Sequence, residues 1–425
     1  MKSQENSSGP LAGIRILDLT AVVLGPLATQ ILGDYGAEVI KVEGLEGDLM
    51  RPARPYLTPG LGATFLSVNR NKRSLAINLK TPEGSAAVLG LVPKVDVFIH
   101  NMRVPAIEKL GFGYERVSEL NPSIVYCAAT GFGQGGPHRD RPAFDDIIQA
   151  ASGLVALNSE GGGQPAYTPT LIADKTVGLA LVNAVLAALL HRARTGEGQY
   201  VEVPMLETMV SFMLAEHLGG LTFDPPVGNA GYQRILAGGR RPSPTADGFV
   251  SILPYTPAQW TGFFVGSGRE DLAKRFRVDD RDELNGNLPG MYAELVAITP
   301  TRTTEEWMRF CDERDIPATP IYSIDKLPEH PHLVAVGLFK SAVHPVVGPI
   351  RYVEPPTLFS ATPATVRRHA PALGEHTMEI LREAGLDEPA IQSLLDSGVA
   401  RAYVPAGTEA SWPVAFPACL VNQGQ

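Results

Sequence analysis

The first half of the chain alternates short apolar runs with segments in which apolar residues recur at helical spacing. The apolar runs predict strands over residues 14–19, 38–43, 74–79, 95–100 and 123–128. Helical segments are predicted between them, over residues 25–33, 81–91 and 105–110. Strands that alternate with helices predict an α/β fold with a mostly parallel sheet that is covered on both faces.

Ligands of such sheets bind where the strands end. The segments that follow the predicted strands are rich in Gly, Pro or polar residues, and they are 20–26, 43–51, 101–105 and 130–137. The first of them lacks the GxGxxG pattern of dinucleotide-binding enzymes, because one glycine stands where three are needed. Glu43 would suit a ribose contact, but a single acidic residue is weak evidence. The patterns GxxxxGK[ST], HExxH and GxSxG do not occur in the sequence.

A long apolar helix is predicted near the middle of the chain. Only Gly178 and Asn183 interrupt the apolar run between Val177 and Leu190, so we expect this helix to be buried on nearly all sides. Asp174 stands where the helix begins, and it would face the positive end of the helix dipole and its free N–H groups. Position alone leaves two interpretations of Asp174 open, an N-cap or a chemically active carboxylate.

The second half of the chain predicts a smaller domain and then a return to the first. Residues 221–241 are rich in Gly and Pro, which is typical of a linker or an active-site loop. A strand is predicted within 247–254, and helices over 257–265, 288–298 and 304–314. A strand region over 343–358 and a helix near 375–384 follow. We therefore predict a large domain over 1–221, a small domain over 222–321, a return to the large domain over 322–405 and a tail over 406–425.

Composition excludes several classes of protein. The 425 residues are 44% hydrophobic and 19% charged, which is typical of globular chains. The net charge of −9 argues against nucleic acid or an anionic membrane as the main partner. The N-terminus has no apolar segment like that of a signal peptide, and the longest apolar run is shorter than the ~20 residues that a membrane span needs.

The cysteines and histidines give no sign of a metal or disulfide site. The three cysteines, Cys127, Cys311 and Cys419, are far apart, which excludes a disulfide framework and suits a reducing cytoplasm. The nine histidines are scattered, and His330 and His332 are more typical of a turn than of metal ligands. We therefore predict no metal site.

Seven segments, taken in order, resemble the class III CoA-transferase family. They include ILDLTAVVLGPLATQILGDYGAEVIKVE and ADKTVGLALVNAVLAALLHRARTGEGQYVEVPMLE, and they cover 16–43, 71–84, 110–137, 144–153, 173–207, 316–327 and 373–381. The family also contains formyl-CoA and carnitine CoA-transferases and, as a branch, the 2-methylacyl-CoA racemases. The resemblance implies a large Rossmann-like domain, a smaller α+β domain and an interlocked homodimer. Two interlocked chains would bury the helix after Asp174 on all sides.

The nucleophilic aspartate of the family falls on Asp174. The resemblance implies that this carboxylate attacks an acyl-CoA thioester, forms a mixed anhydride and then becomes an aspartyl-CoA thioester. An aspartate has an ordinary pKa of ~3.9, so it is ionised at pH 7 and needs no neighbouring base. CoA and acyl-CoA are then substrates, and we expect no tightly bound cofactor.

Coenzyme contacts implied by the resemblance lie along the carboxyl edge of the sheet. They fall on Val23, Leu24, Ile77, Asn78, Leu79, Lys80, Asn101, Met102, Arg103 and Lys109, with Phe144 and Asp145 beside them. Lys80 and Arg103 are suitable phosphate partners, because an acidic protein needs local positive charge to hold an anion. Lys72 and Arg73 are expected to serve likewise, with a solvated turn as the alternative for at least one of them.

The racemase branch needs a histidine directly before an aspartate, as a second base across the α-carbon. Phe144 and Asp145 align with that pair, and without an imidazole at position 144 a two-base racemisation lacks its partner. Asp145 and Asp146 would be substitutes, but an adjacent acidic pair that opens a helix is more often a cap. We therefore favour CoA transfer, with a 2-methylacyl-CoA racemase as the alternative and a non-catalytic CoA-binding protein as a third interpretation.

Two further substrate contacts are hypotheses. The Gly238-Gly239 turn is a candidate donor to the oxyanions of the reaction, and an interdomain hinge is the alternative. Arg240 and Arg241 would hold the distal carboxylate of a dicarboxylic acid such as succinate, unless they face solvent or pair with acidic residues of the small domain. The first option favours succinyl-CoA as donor.

Overall fold

The computed structural model describes residues 9–159, 163–236 and 240–405. Its strands are β1 (Arg15–Leu19), β2 (Glu38–Glu43), β3 (Lys72–Ile77), β4 (Val97–His100), β5 (Val125–Ala128), β6 (Gln199–Glu202), β7 (Ser243–Pro244), β8 (Phe249–Ile252), β9 (Ala318–Pro320), β10 (Phe339–His344), β11 (Gly348–Val353) and β12 (Ala400–Arg401). The five strands predicted in the first half are confirmed as β1 to β5, with ends shifted by up to two residues.

Helices lie between most of these strands. They are α1 (Leu24–Asp34), α2 (Ala63–Val68), α3 (Pro82–Leu89), α4 (Val104–Lys109), α5 (Tyr114–Leu120), α6 (Asp145–Ala151), α7 (Leu154–Asn158), α8 (Ile172–Thr195), α9 (Met205–His217), α10 (Gln233–Leu236), α11 (Pro257–Gly266), α12 (Glu270–Arg275), α13 (Arg281–Ile298), α14 (Thr304–Asp312), α15 (Pro331–Ala335), α16 (Thr377–Ala384) and α17 (Glu388–Asp396). The predicted helices over 25–33, 81–91, 105–110, 257–265 and 304–314 are confirmed as α1, α3, α4, α11 and α14.

A seven-stranded sheet has the order β12-β3-β2-β1-β4-β5-β6. Neighbouring strands are parallel, except that β12 runs antiparallel to β3. Every residue of β3, β4 and β5 is buried, as expected for a sheet that is covered on both faces. The predicted α/β fold with a mostly parallel sheet is therefore confirmed.

Two layers of helices cover this sheet. On one face, Leu17, Phe98 and Tyr126 belong to a buried apolar cluster with residues of α3, α5, α16 and α17. Helices α1 and α8 pack against each other, and α8 also contacts β5. Local capping signals begin two of the helices: Thr81 caps α3 ahead of Pro82, and Thr303 forms a capping box with Glu306 at α14.

The chain divides into two units. The first contains the large sheet and comprises the described parts of 1–144, 172–208 and 340–425. The second comprises 145–171 and 209–339, and in it β7, β8 and β9 form an antiparallel sheet. Its core is aromatic, with Trp260, Phe263 and Trp307 fully buried. The domain bounds 1–221, 222–321 and 322–405 stay a prediction, and the tail 406–425 lies outside the described residues.

Helix α8 is less buried in one chain than the sequence predicts. Leu179, Asn183, Ala187 and Leu190 form an exposed stripe along it, since they recur at intervals of three or four residues. By length and composition alone α8 would be able to cross a membrane, a property that buried core helices share. Half of its most apolar window is buried inside the molecule. The expectation that α8 is buried on nearly all sides is therefore wrong for a single chain.

Candidate active site

The carboxyl ends of β1 and β4 form the switch point of the large sheet. After β1 the chain builds β2 and β3 on one side, and then crosses to build β4 and β5 on the other. In open α/β sheets, ligands bind in the crevice outside such a point. The segments 20–23 and 101–103 leave the sheet here, and they include the predicted coenzyme positions Val23, Asn101, Met102 and Arg103.

The side chain of Asn101 connects these two segments. Its Nδ2 donates to Ala21 O at 2.8 Å, and its Oδ1 accepts from Ala21 N at 3.0 Å. Arg103 is exposed at the start of α4, where its guanidinium donates to Asp140 O at 3.2 Å. Asn101 therefore holds the turn after β1, while Arg103 is accessible to an anion.

Asp174 lies in the first turn of α8. The helix begins at Ile172, so Asp174 is already inside it, and the interpretation as an N-cap is wrong. The side chain is buried, with the residue 7% exposed. The first turn of a long helix favours negative charge, because the free N–H groups of the helix point there. Asp174 thus combines a stabilised charge with little access for bulk water.

Gly178 brings this part of α8 close to the start of α1. A Cβ at position 178 would lie 2.8 Å from Leu24 O, closer than side chains tolerate, so only glycine allows this approach. Asp174 precedes Gly178 by four residues and therefore lies on the same face of α8. The structure consequently places the predicted nucleophile on the helix face that meets Leu24 at the start of α1.

The remaining predicted coenzyme positions lie at the same edge of the sheet. Ile77 ends β3 and is buried, and the turn after it is closed by Asn78, whose Oδ1 accepts from Lys80 N at 3.1 Å. Leu79 is half-buried, whereas Lys80 and, at the end of α4, Lys109 are exposed. Lys80 is therefore an accessible cation at the carboxyl edge, and Lys109 is an accessible cation at the end of α4.

Lys72 and Arg73 do not lie at the carboxyl edge of the sheet, so their predicted contact with the phosphates of CoA needs correction. Both belong to β3, at its amino end, so the solvated turn is wrong. Lys72 Nζ is buried, bonds Asp18 Oδ2 at 3.1 Å and also donates to the carbonyl of Pro26. Burial lowers the pKa of Lys72 to about 8. Arg73 pairs with Glu383 at 2.7 Å. We therefore leave both side chains out of the coenzyme site.

Phe144 and Asp145 are neighbours in sequence but differ in solvent exposure. Phe144 is 61% exposed, whereas Asp145 is buried in the first turn of α6, as the predicted helix opening requires. Gln149 was missed by the sequence analysis. Its Nε2 donates to Asp145 Oδ2 at 2.6 Å, and its Oε1 accepts from Thr168 N at 2.9 Å. Asp145 and Gln149 are four residues apart on α6, but no local pattern signals the bond between Gln149 and Thr168, which are 19 residues apart.

The other substrate hypotheses concern the second unit. Gly238 and Gly239 lie outside the described residues, and Arg240 and Arg241 are exposed. His330 caps the start of α15, where its Nδ1 accepts from His332 N at 3.2 Å, so the two histidines lie at a helix start and not in the predicted turn.

Two buried ion pairs, each between a residue of β2 and one that follows it, were also missed. Lys41 pairs with Asp48 at 2.9 Å and Glu43 with Arg51 at 2.6 Å, with each side chain at most 3% exposed. The ribose contact considered for Glu43 is therefore wrong, because both of its carboxylate oxygens accept from Arg51. A signal was present in the sequence, because three of the six residues of EVIKVE are charged, which is unusual for a covered strand.

In the described ranges 9–159, 163–236 and 240–405, no group of three or more His, Cys, Asp or Glu side chains is arranged to hold a metal ion.

Comparison with known proteins identifies relatives along nearly the whole chain. The sequence model of CoA-transferase family III matches residues 11–377. The chain is 34% identical to the succinate–glutarate CoA-transferase of Agrobacterium fabrum, over 90% of this chain and 98% of the relative. It is 34% identical to the mouse succinyl-CoA:glutarate CoA-transferase, over 94% and 92%. A succinyl-CoA:mesaconate CoA-transferase of Haloarcula marismortui is 32% identical, over 89% and 97%.

Solved structures show the same fold. A crystal structure of a Mycobacterium tuberculosis protein matches with a TM-score of 0.76 and 30% identity, covering 88% of this chain and 99% of that one. A CaiB/BaiF family protein from Brucella suis also gives a TM-score of 0.76, at 28% identity, covering 89% and 100%.

Proposed function

Since this chain belongs to CoA-transferase family III, we propose that its CoA transfer runs through covalent loading of Asp174. The observation that carries this proposal is the placement of Asp174. It is a nearly buried carboxylate in the first turn of α8, on the helix face that meets the start of α1 beside the switch point. A nucleophile placed there would reach a thioester whose coenzyme lies along the carboxyl edge of the sheet.

The reaction proceeds in four acyl transfers. The Asp174 carboxylate attacks the thioester carbonyl of the donor, the C–S bond breaks, and a mixed anhydride and CoA thiolate result. The thiolate attacks the aspartyl carbonyl and expels the donor carboxylate, which leaves an aspartyl-CoA thioester. The acceptor carboxylate then attacks this thioester and releases the thiolate again. Attack of the thiolate on the acceptor's carbonyl yields the new acyl-CoA and restores Asp174.

An aspartate suits these steps for two physical reasons. It is ionised at neutral pH without help from a base. Its anhydride and thioester intermediates are also sensitive to hydrolysis, so a buried position protects them. The low exposure of Asp174 supports this second requirement.

The coenzyme is proposed to lie along the edge formed by Val23 and Leu24, residues 77–80 and residues 101–103. Arg103 and Lys80 are exposed cations on this edge, and with Lys109, which is exposed at the end of α4, they are proposed to meet its phosphates. This placement rests on the topology of the sheet and on the resemblance to the family.

We propose a dicarboxylic substrate pair, with succinyl-CoA as donor. The names of three relatives specify succinate or succinyl-CoA together with glutarate or mesaconate, which are all dicarboxylates. Arg240 and Arg241 are exposed cations that would bind a distal carboxylate. Racemisation finds no support, because Phe144 occupies the place of the second base.

We also propose the interlocked homodimer. An exposed stripe of α8 comprises Leu179, Asn183, Ala187 and Leu190 in one chain. Exposed apolar side chains that lie together are typical of a surface that binds another protein chain. A second copy threaded through the first would cover this stripe.

An exchange assay on an isosteric variant tests the role of Asp174. D174N keeps the shape of the side chain but removes its charge and nucleophilicity, so transfer from succinyl-CoA to glutarate should fall roughly a thousandfold or more. D271N is the matched control, because Asp271 also lies in the first turn of a helix but is exposed. It should change the rate by less than about twofold. Full activity of D174N would end the covalent proposal.

A further inference from the structure

The turn between β1 and α1 contains a residue in an unusual backbone conformation. Val22 has a φ of +72°, in the left-handed region that side chains branched at Cβ rarely adopt. The chain runs directly from Val22 into Val23 and Leu24, two proposed coenzyme contacts. A residue persists in such a conformation only where the surrounding contacts over-determine it.

A buried ion pair holds the backbone on both sides of this turn. Asp48 Oδ1 accepts from Val22 N at 3.2 Å and from Met50 N at 2.9 Å. Asp48 Oδ2 accepts from Lys41 Nζ at 2.9 Å, and the same Nζ donates to Thr20 O at 2.9 Å. The carboxylate and the ammonium group thus each make one bond to the other and one to the turn.

Ala21, which lies between Thr20 and Val22, is held by a residue that follows β4, on the other side of β1 from β2. Asn101, which follows β4, makes two hydrogen bonds to the backbone of Ala21. Three consecutive residues, Thr20, Ala21 and Val22, are therefore held by side chains that come from the segments after β4 and around the end of β2. We call Lys41, Asp48 and Asn101 the turn brace.

Stability alone does not explain the ion pair of the turn brace. Desolvation offsets much of the attraction in a buried pair, so apolar residues of similar size are often as stabilising. Burial acts to lower the pKa of Lys41, but Asp48, Asp18 and Glu43 outweigh it and raise that pKa above its ordinary value. Lys41 therefore stays charged at neutral pH, with its Nζ directed at the turn.

We propose that Lys41 and Asp48 are positioning residues for coenzyme binding. They hold Val22 in the left-handed conformation, so that the start of α1 is already shaped for CoA before the coenzyme arrives. A preformed turn raises the affinity for CoA, because no free energy is needed to order the turn when the coenzyme binds. This inference rests on the proposed function in one respect, the assignment of the turn to the CoA site.

A double-mutant cycle between Asp48 and Val22 tests the inference. D48N keeps the shape of the side chain but weakens its hold on Lys41 and on Val22 N, so the Kd of CoA and the KM of the acyl-CoA should each rise about tenfold, or ~1.4 kcal/mol. The turnover number should change far less. Lys41 keeps Glu43 and Asp18 as charged neighbours, which favours folding of this variant.

Glycine at position 22 should make the brace dispensable. Glycine adopts a φ of +72° without steric cost, so V22G should bind CoA within about threefold of the wild type. In V22G/D48N the Kd should lie within about threefold of V22G, because the turn no longer needs Asp48. Such rescue by a residue that Asp48 contacts only through the backbone is not expected if Asp48 merely stabilises the core.

D34N is the matched control. Asp34 is also buried and ion-paired, with Arg70 at 2.7 Å, but it lies at the other end of α1. It should leave the Kd of CoA unchanged, with folding of all variants followed by thermal melting. An equal rise in Kd for D34N and D48N, or no rescue in V22G/D48N, would overturn the inference.

Calorimetric titration with free CoA separates this inference from the proposed function. Binding of CoA requires no covalent step, so the cycle can be read even if Asp174 proves not to be the nucleophile. Wild-type protein that binds no CoA would overturn the assigned site and the inference with it. Wild-type protein that binds CoA, with D48N binding it equally well, would overturn the positioning role alone.

Discussion

At the scale of the residue, the proposed site combines a carboxylate, that of Asp174, with a glycine one helical turn later, Gly178. Asp174 supplies the negative charge, and Gly178 lets its helix approach the backbone of Leu24. Neither residue explains the site by itself. An acidic residue in the first turn of a helix is common, and a glycine inside a helix normally weakens it. Together on one face they are evidence of a functional constraint.

Alanine at position 178 should therefore harm the enzyme. The added Cβ would meet Leu24 O at 2.8 Å, so α8 must shift away from α1. We expect G178A to lower stability by roughly 1–2 kcal/mol, because overpacking exceeds the helical preference of alanine. Turnover should fall by about tenfold or more, since Asp174 moves with the helix.

G262A is the control for this substitution. Gly262 lies within α11, and a Cβ there would come no closer than 3.9 Å to Arg314, an ordinary contact. The variant should be as stable as the wild type or up to ~1 kcal/mol more stable. Chemical unfolding and exchange kinetics measure both effects. A G178A enzyme with unchanged activity would show that the close approach of α8 to α1 has no role in catalysis.

At the scale of the element, α8 carries both the proposed nucleophile and the proposed subunit contact. Its buried face includes Asp174 and Gly178, and its exposed stripe includes Leu179 and Leu190. A charge on this stripe should oppose association, because it would be buried in the dimer without a partner.

We expect L179E to shift the protein from dimer toward monomer in light scattering coupled to size-exclusion chromatography. L358E is the matched control, since Leu358 is 87% exposed and does not belong to α8. It should elute as the wild type does. A dimeric L179E protein, or a wild type that is monomeric at micromolar concentration, would contradict the proposed interface.

Much of the large sheet was predictable from the sequence because its strands are local signals. The apolar runs of β1 to β5 are bounded by turn residues, and α3 and α14 begin with recognisable caps. Two strands were missed for a physical reason. β6 is only partly buried, and β12 is two residues long and is defined by its pairing with β3 rather than by its own composition.

The candidate site was predictable only where its residues bear a family signature. Asp174 and the positions after β1 and β4 could be identified from ordered segments of sequence. Lys72 was misassigned because a lysine before an apolar run suggests a solvated turn, whereas β3 begins at that lysine. Asp48 and Gln149 were missed because their contacts join segments that are distant in sequence, which no periodicity reports.

At the scale of the whole molecule, sheet topology gathers remote segments around one edge. Thr20, Asp48, Asn101 and Lys80 follow different strands, yet all belong to the carboxyl edge of the same sheet. A protein of net charge −9 thereby presents exposed cations along the edge where an anionic coenzyme is proposed to bind. In the proposed reaction the protein supplies only one nucleophile, because CoA itself supplies the second.

Chemical trapping at Asp174 tests the central claim most directly. The full chain is incubated with succinyl-CoA and then with hydroxylamine, digested, and analysed by mass spectrometry. An aspartyl thioester or anhydride reacts with hydroxylamine to give a hydroxamate, so the peptide that contains Asp174 should carry this modification only when both reagents were present. An active enzyme whose Asp174 peptide stays unmodified, or whose hydroxamate forms on a different carboxylate, would contradict the account.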